Sequence, residues 1–232
     1  MKVWVYVEGQ ADRVALEALW ENWRKALRSK GHGIKIVTLD NKSNFFKKIG
    51  PRVSEKLVGG ASDIVVGLPD LYPNSPYQST KYKHSDIDEL KRVQQKEVSA
   101  ALEQTYSYSK QEVKKLLERF LGAALKHDLE MLLLAAKDEL RSYLRTSDQL
   151  GSWKNPVEEQ DQERPPKYIV EELFVTKSSQ KRAYRDTIHA RAVLQKVSDI
   201  KKIIFANNQI QCPIFKSVLD WIGEKTGVPA YQ

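Results

Sequence analysis

The feature that most constrains this chain is the alternation within its first seventy residues, where three short β-branched runs are separated by helical patterns. Val3, Val5 and Val7 alternate with Lys2, Trp4 and Tyr6 and end at Glu8-Gly9. Such a run predicts a strand with both faces at least partly covered. Beyond Gly9, Val14, Leu16, Leu19, Trp20, Trp23 and Leu27 fall at helical spacing, with Asp12 placed to cap the helix and Gly31 and Gly33 placed to stop it. Residues 33–39, GIKIVTL, predict a second strand, and residues 44–57 a second helix whose weak point is Gly50-Pro51. Residues 63–68, DIVVGL, lie between Gly59-Gly60 and Pro69 and predict a third, buried strand. A β-α-β-α-β order at this spacing implies an α/β fold with a parallel sheet and right-handed crossovers.

The remainder is richer in helix. Residues 72–85, YPNSPYQSTKYKHS, read as an exposed loop, and Asp86 or Asp88 opens a helix to about Tyr106. Residues 110–125 have helical spacing with Gly122 in their midst, and residues 129–144 predict one helix with Met131 to Ala136 facing the core. Residues 146–166 turn polar and end in Arg164-Pro165-Pro166, which marks a loop or linker. Helices are then expected over 168–174, 183–197 and 215–224, an α-rich C-terminal part. The division expected is an α/β domain over 1–150, with 151–232 a linker and helical part packed on the same domain.

Composition enters as a set of exclusions. One cysteine, Cys212, leaves no internal disulfide framework, and a small buried apolar role is the expectation for it. The opening residues MKVWVYVEG lack a signal-peptide pattern, so a reducing, cytoplasmic location is expected. No apolar run approaches the roughly 20 residues of a membrane-spanning helix. The net charge of +8 suits a polyanionic partner, although the basic residues are dispersed along the chain.

Open parallel sheets bind ligands at the C-terminal edge of their strands. Glu8 stands at the end of the first strand and Asp70 just beyond the third, so both are expected at that edge. Two carboxylates brought together there repel one another unless a proton or a cation intervenes, which points to a hard metal with oxygen ligands, magnesium first. In His127-Asp128-Leu129-Glu130, Asp128 reads as a helix cap and Glu130 as the better ligand. The four histidines are scattered and no closed zinc site follows from their spacing. There is no Gly-x-Ser-x-Gly elbow and no phosphate-binding glycine loop.

The segment VEGQADRVALEAL resembles the opening motif of the TOPRIM-fold superfamily, a Glu after the first strand followed by Gly and a helix. The stretches KKIGPRVSEKL, DIVVGLPDLYP, KHDLEMLLLAA, RPPKYIVEELF and CPIFKSVLDWI, in this order, resemble a bacterial TOPRIM-like family of unknown function. Members of that family are often encoded beside an ATPase in phage-defence contexts. The resemblance implies a TOPRIM-like, Rossmann-like, mostly parallel sheet with helices on both faces, and a further strand over 119–125. It implies a nuclease dependent on magnesium or manganese, acting on DNA or RNA as the effector of an ATPase-associated defence system. By the motif Glu8 is the general acid or base and Asp70 the first acid of an Asp-x-Asp pair. The second position is Tyr72 here, so Glu130 is the expected replacement ligand, and Lys42, Arg52 and Lys126 are the candidates for holding phosphates. Two other readings stand beside this one: a catalytically inactive regulatory or structural subunit docked on the ATPase, and an enzyme acting on a small phosphorylated molecule. In a complex with the ATPase, Tyr184 and Trp221 are the exposed aromatics expected at the partner surface.

Overall fold

The computed structural model describes residues 1–231. β1 (Lys2–Val7) is central in a four-stranded sheet of order β2-β1-β3-β4, with β2 (Gly33–Thr38), β3 (Ile64–Leu68) and β4 (Phe120–Gly122) all parallel. Val5 pairs with Ile36 on one side and Val66 on the other, and Val66 pairs in turn with Leu121. The β-branched residues therefore stack across the sheet rather than along one strand, the arrangement expected of strands covered on both faces. The fold class is the one the sequence implies: α/β, with a parallel sheet flanked by helices and an α-rich C-terminal part.

Between β1 and β2 the chain forms two helices, α1 (Gln10–Leu19) and α2 (Glu21–Ser29), where the apolar spacing implies one. Trp20 is the joint. It is fully buried, edge-on to Trp23 at 5.6 Å and stacked on Phe215 at 6.2 Å, so packing of the indole sets the backbone there. By contrast α3 (Lys42–Gly59) runs unbroken through Gly50-Pro51. An interior proline costs an isolated helix about 3 kcal/mol, so tertiary packing must hold this turn. α4 (Ile87–Tyr106) provides it: a Cβ on Gly50 would stand 2.5 Å from the Glu97 carbonyl oxygen, so only glycine permits this approach.

The ambiguous segment before β4 divides between its two readings. α5 (Lys110–Leu117) takes the helical spacing, and β4 with the bridge between Leu125 and Asp70 takes the strand that the resemblance implies. Arg119 fixes the junction by donating to the carbonyls of Leu57, Gly60 and Asp63 at 2.6 to 3.0 Å. The helix expected over 129–144 is two, α6 (Glu130–Ala135) and α7 (Lys137–Leu144), meeting at Ala136. All of α6 is buried, and the change of direction lets Lys137 and Asp138 reach solvent while Leu140 and Leu144 stay inside.

The polar stretch 146–166 is docked rather than free. The fully buried Glu158 accepts hydrogen bonds from the N–H groups of Ile214 at 2.7 Å and Phe215 at 2.9 Å, supplying the cap that Cys212 does not give α11 (Pro213–Thr226). Before α11 come α8 (Pro166–Thr176), α9 (Asp186–Leu194), the short α10 (Lys201–Ile204) and a hairpin of β5 (Phe205–Ala206) with β6 (Gln209–Ile210), the last three elements unmarked by any sequence periodicity. One apolar cluster joins α1, α2, one sheet face and α6 to α11. A second joins the opposite face to α3, α4 and α5. Tyr184 and Trp221, expected exposed, are both half-buried against the first cluster, because the aromatic area of each is spent on the core. Cys212 is completely buried, as expected of a small apolar residue. Among the described residues no helix is long and apolar enough to cross a membrane.

Candidate functional site

Parallel pairing without offset brings the strand ends to one edge, and the acids at those ends meet there. Glu8 follows β1, and its Oε1 accepts a hydrogen bond from the Asp70 N–H at 3.0 Å. Asp70 is held by the continued pairing beyond β3, where Leu125 N donates to Pro69 O at 2.9 Å and Leu71 N to Leu125 O at 2.7 Å. That same pairing delivers His127 and Asp128 to the edge, and Glu130 opens α6 beside them. Asp12 joins from the first turn of α1, where its Oδ2 accepts from the Gly9 N–H at 2.8 Å. It closes the helix entry from the third helical position, with Gly9 rather than Asp12 as the capping residue.

Burial pushes all five carboxyls upward. Glu8 rises to about 7, tempered by Lys42 and by the bond from Asp70, and Asp12 rises to about 6, with Glu130 and Asp186 adding to the effect. Asp70 stands well above the ordinary aspartate range, through burial and then the charges of Asp12, Glu8 and Asp128. Asp128 is pushed up to about 8 by burial and by Glu130, and Glu130 is raised by burial although Tyr184 and Lys167 work against it. Two ammonium groups face these acids. Lys42 is 7% exposed and its Nζ donates to the carbonyls of Leu71 at 2.8 Å and Pro73 at 2.9 Å, next to Glu8 and Asp70. Lys167 approaches from α8, where burial opposes its charge but Glu130, Asp186 and Asp128 prevail and raise its pKa. Tyr184 reaches Glu130 from the segment before α9; its hydroxyl is shut off from solvent but lacks an aligned hydrogen bond.

The donor set is oxygen only, as a hard cation requires, and Asp128 Oδ1 is buried without a hydrogen-bond partner. Magnesium usually takes one or two carboxylates and keeps several waters, so these residues fit it by chemistry. Among the described residues, no three His, Cys, Asp or Glu side chains stand ready-arranged to hold an ion. The fit is thus of a carboxylate pair with water, not of a closed protein cage.

Of the residues expected at the site, Glu8, Asp70 and Glu130 are brought into this network. The expected phosphate binders lie otherwise. The Lys42 ammonium is turned inward onto the 71–73 backbone. Arg52 is paired with Glu55 at 3.5 Å and lines a different cleft with Trp4, Tyr6 and Lys56. Lys126 pairs with Glu159 at 2.6 Å. Tyr72, at the second motif position, leans on His127 with ring centroids 5.6 Å apart. Both rings line a cavity of about 340 Å³ with Pro73, Asn74, Ser75 and Asp128, open beside the acids. Asp12 and Asp128 read in sequence as helix caps and Tyr184 as a partner-surface aromatic, whereas all three stand among these acids. For the two acids the available signal was position: Asp12 lies one helical turn past Glu8, and Asp128 lies three residues past the strand implied over 119–125.

A family model described as a domain of unknown function, DUF4276, matches residues 7–223. No curated protein matches the chain. Among solved structures, three of the C-terminal region of the Xanthomonas campestris pv. campestris OLD protein, phased with mercury, iodine and platinum, align over 97% of this chain and 96%, 95% and 93% of theirs. Their identities are 18%, 18% and 15%, with TM-scores of 0.45, 0.45 and 0.46. That likeness is too loose to transfer chemistry from one chain to the other.

Proposed function

The chain belongs to the DUF4276 family, and from the acidic edge of its sheet we propose that it is a TOPRIM-like, metal-dependent phosphodiesterase acting on nucleic acid. The observation that carries this reading is the convergence of Glu8, Asp12, Asp70, Asp128 and Glu130, all with raised pKa values, on a site faced by two ammonium groups. Carboxyls whose pKa values are raised first by burial and then by neighbouring acids are relieved by a divalent cation, and the chemistry it would supply is charge neutralisation at the phosphodiester and a more acidic water. A pair of these carboxylates, Asp70 with Glu130 or with the unpartnered oxygen of Asp128, would hold magnesium or manganese, with water completing its shell. Glu8, with a pKa of about 7, is suited to exchange a proton with an attacking water or a leaving oxygen near neutral pH. Its orientation is fixed by the Asp70 N–H. Lys42 anchors the 71–73 backbone and so shapes the wall of the cavity beside the acids. Tyr72 and His127 offer aromatic faces in that cavity, where a splayed base could stack.

The reading extends to a separate ATPase partner and a role in antiviral defence, supported by the sequence resemblance and by the lack of a phosphate-binding glycine loop. A second reading, a non-catalytic subunit, draws on Lys42: its ammonium already sits where it offsets Glu8 and Asp70. Fluorescent single- and double-stranded DNA and RNA, incubated with the full chain in magnesium or manganese with and without the neighbouring ATPase, separate the two. Metal-dependent cleavage that disappears in Glu8→Gln supports the phosphodiesterase. A folded chain that cuts none of these substrates under any condition supports the non-catalytic subunit.

A further inference from the structure

Away from the acids, α7, the turn after α8 and the end of α9 enclose a cleft of about 310 Å³ whose lining includes Ser142, Tyr143, Arg145, Ser178, Arg182 and Lys196. Three cations line it and no carboxylate does. Among the described residues none of the three enters an ion pair, although thirteen such pairs occur elsewhere. Like charges gathered without a counter-ion repel, so the cluster destabilises the empty protein and is relieved by an anion. Arg182 is held ready. Its guanidinium lies 5.2 Å from the Tyr143 ring centroid, and its Nε is closed to solvent without a hydrogen-bond partner, which is uncommon for a buried donor. The Ser178 Oγ accepts from the Gln180 N–H at 3.3 Å, which leaves its own O–H to donate.

We propose that this cleft binds a phosphate group, through the guanidinium groups of Arg145 and Arg182, the Lys196 ammonium and the serine hydroxyls. Donors that converge from three separate elements suit a tetrahedral oxyanion carrying more than one acceptor oxygen better than a planar carboxylate, which a single arginine satisfies side by side. The site has a structural link to the acidic edge. The segment between α8 and α9 carries Arg182 into the cleft and Tyr184, two residues on, towards Glu130. Phe174 and His189 pack between them, with His189 at 4.8 Å from Phe174, 5.8 Å from Tyr184 and 6.0 Å from Tyr143. A phosphate seated on Arg182 therefore clamps the segment that sets Tyr184 over the acids.

The test is calorimetric titration of the full chain, without divalent ions, with inorganic phosphate in one arm and a short single-stranded oligonucleotide in the other. Arg145 and Lys196 are exposed, so the double variant Arg145→Gln, Lys196→Gln keeps the fold and is expected to weaken binding at least tenfold. Arg182→Gln is expected to do the same. Loss in both arms assigns the site to any phosphate group, and loss with the oligonucleotide alone assigns it to a nucleic-acid backbone. Hydrogen exchange of the amides in 178–185 is expected to slow several-fold when the ligand is bound. Failure of the wild type to bind either ligand, or full binding of both by a double variant with wild-type melting, overturns the proposal. The outcome is independent of the phosphodiesterase reading, because it is read as binding without divalent ions and the varied residues, Arg145, Arg182 and Lys196, belong to the cleft and not to the acidic edge.

Discussion

The two walls of the acidic cluster hold similar acids but differ in what faces them. On the wall formed by the strand ends, Glu8 and Asp70 share Lys42, a buried ammonium whose hydrogen bonds to Leu71 and Pro73 prevent it from leaving. On the helical wall, Asp128 and Glu130 face Lys167, an exposed residue, and a tyrosine hydroxyl without an aligned bond. An exposed cation is screened and contributes little, whereas a buried one cannot be replaced by water. The first wall is thus partly neutralised by the fold itself. The second waits for a proton or a cation from outside, and Asp70, which senses both Glu8 and Asp128, is the residue through which such a cation would join the two.

The largest effect is expected at Lys42. Lys42→Met leaves Glu8 and Asp70 without their internal cation and the carbonyls of Leu71 and Pro73 without donors, and removal of one partner of a buried charged group costs about 3 kcal/mol. Urea unfolding is expected to show that loss, with partial recovery in millimolar magnesium. An unchanged midpoint would mean that Lys42 does not offset these acids.

Next in size are Glu8→Gln and Asp70→Asn. Each is expected to lower metal-dependent cleavage about 100-fold or more, equivalent to about 2.7 kcal/mol of transition-state stabilisation, while the metal-free protein becomes more stable rather than less. Gln at position 8 retains an oxygen for the Asp70 N–H, so the fold has no reason to suffer. A simple structural role would reverse the sign of the stability change, which thermal melts without metal would register.

A smaller effect follows from pH. Glu8, Asp12 and Asp128 keep their protons to about 7, 6 and 8 when folded, against ordinary values of 4.5 for Glu and 3.8 for Asp. Between those limits the folded chain binds more protons at these three groups than the unfolded one, so the stability they contribute is full below about pH 4 and is lost as pH rises through 6 to 8. Magnesium should offset that loss at the upper end of this range, since it competes with the same protons. Denaturant midpoints at pH 5 and pH 8, with and without the ion, measure both statements. Stability that rises over this range in the metal-free protein would contradict them.

The smallest change is expected from Tyr184→Phe, which removes a buried hydroxyl that has no aligned partner. Stability should move by about 0.5 kcal/mol or less, because no good hydrogen bond is lost. A loss of 2 kcal/mol or more would show that the hydroxyl is firmly bonded to Glu130, and that the helical wall is better satisfied than this comparison holds.

The sheet was legible because its signal is local. The β-branched runs at Val3, Ile36 and Val66 declare buried strands whatever surrounds them, and the β-α-β order leaves few topologies. Helix breaks were not legible in the same way. Trp20 and Ala136 interrupt periodic sequences for reasons of packing, while Pro51 sits in an intact helix because Gly50 meets α4. At the site, Glu8 and Asp70 could be found from their places after strands. Asp12 and Asp128 also had local capping explanations, which for Asp12 proves true in part, and a cap that is also a member of a charge cluster has no separate mark in sequence. Lys42, Arg52 and Lys126 were visible as cations, but whether a lysine points to solvent or onto a carbonyl depends on the loop it meets. The cleft at Arg145, Arg182 and Lys196 was not anticipated, since its members come from three elements whose meeting is fixed only by the packing of α7 and α9.

Whether the acids at the sheet edge take a divalent cation, as proposed, is decided by calorimetric titration of magnesium into the full chain at pH 8 and pH 6, for the wild type and for Asp70→Asn. The expected result is binding at a single site at pH 8, weaker at pH 6 where protons compete, and lost in Asp70→Asn. A folded wild type that binds no magnesium at pH 8, or an Asp70→Asn variant that binds as tightly as the wild type, would contradict the account.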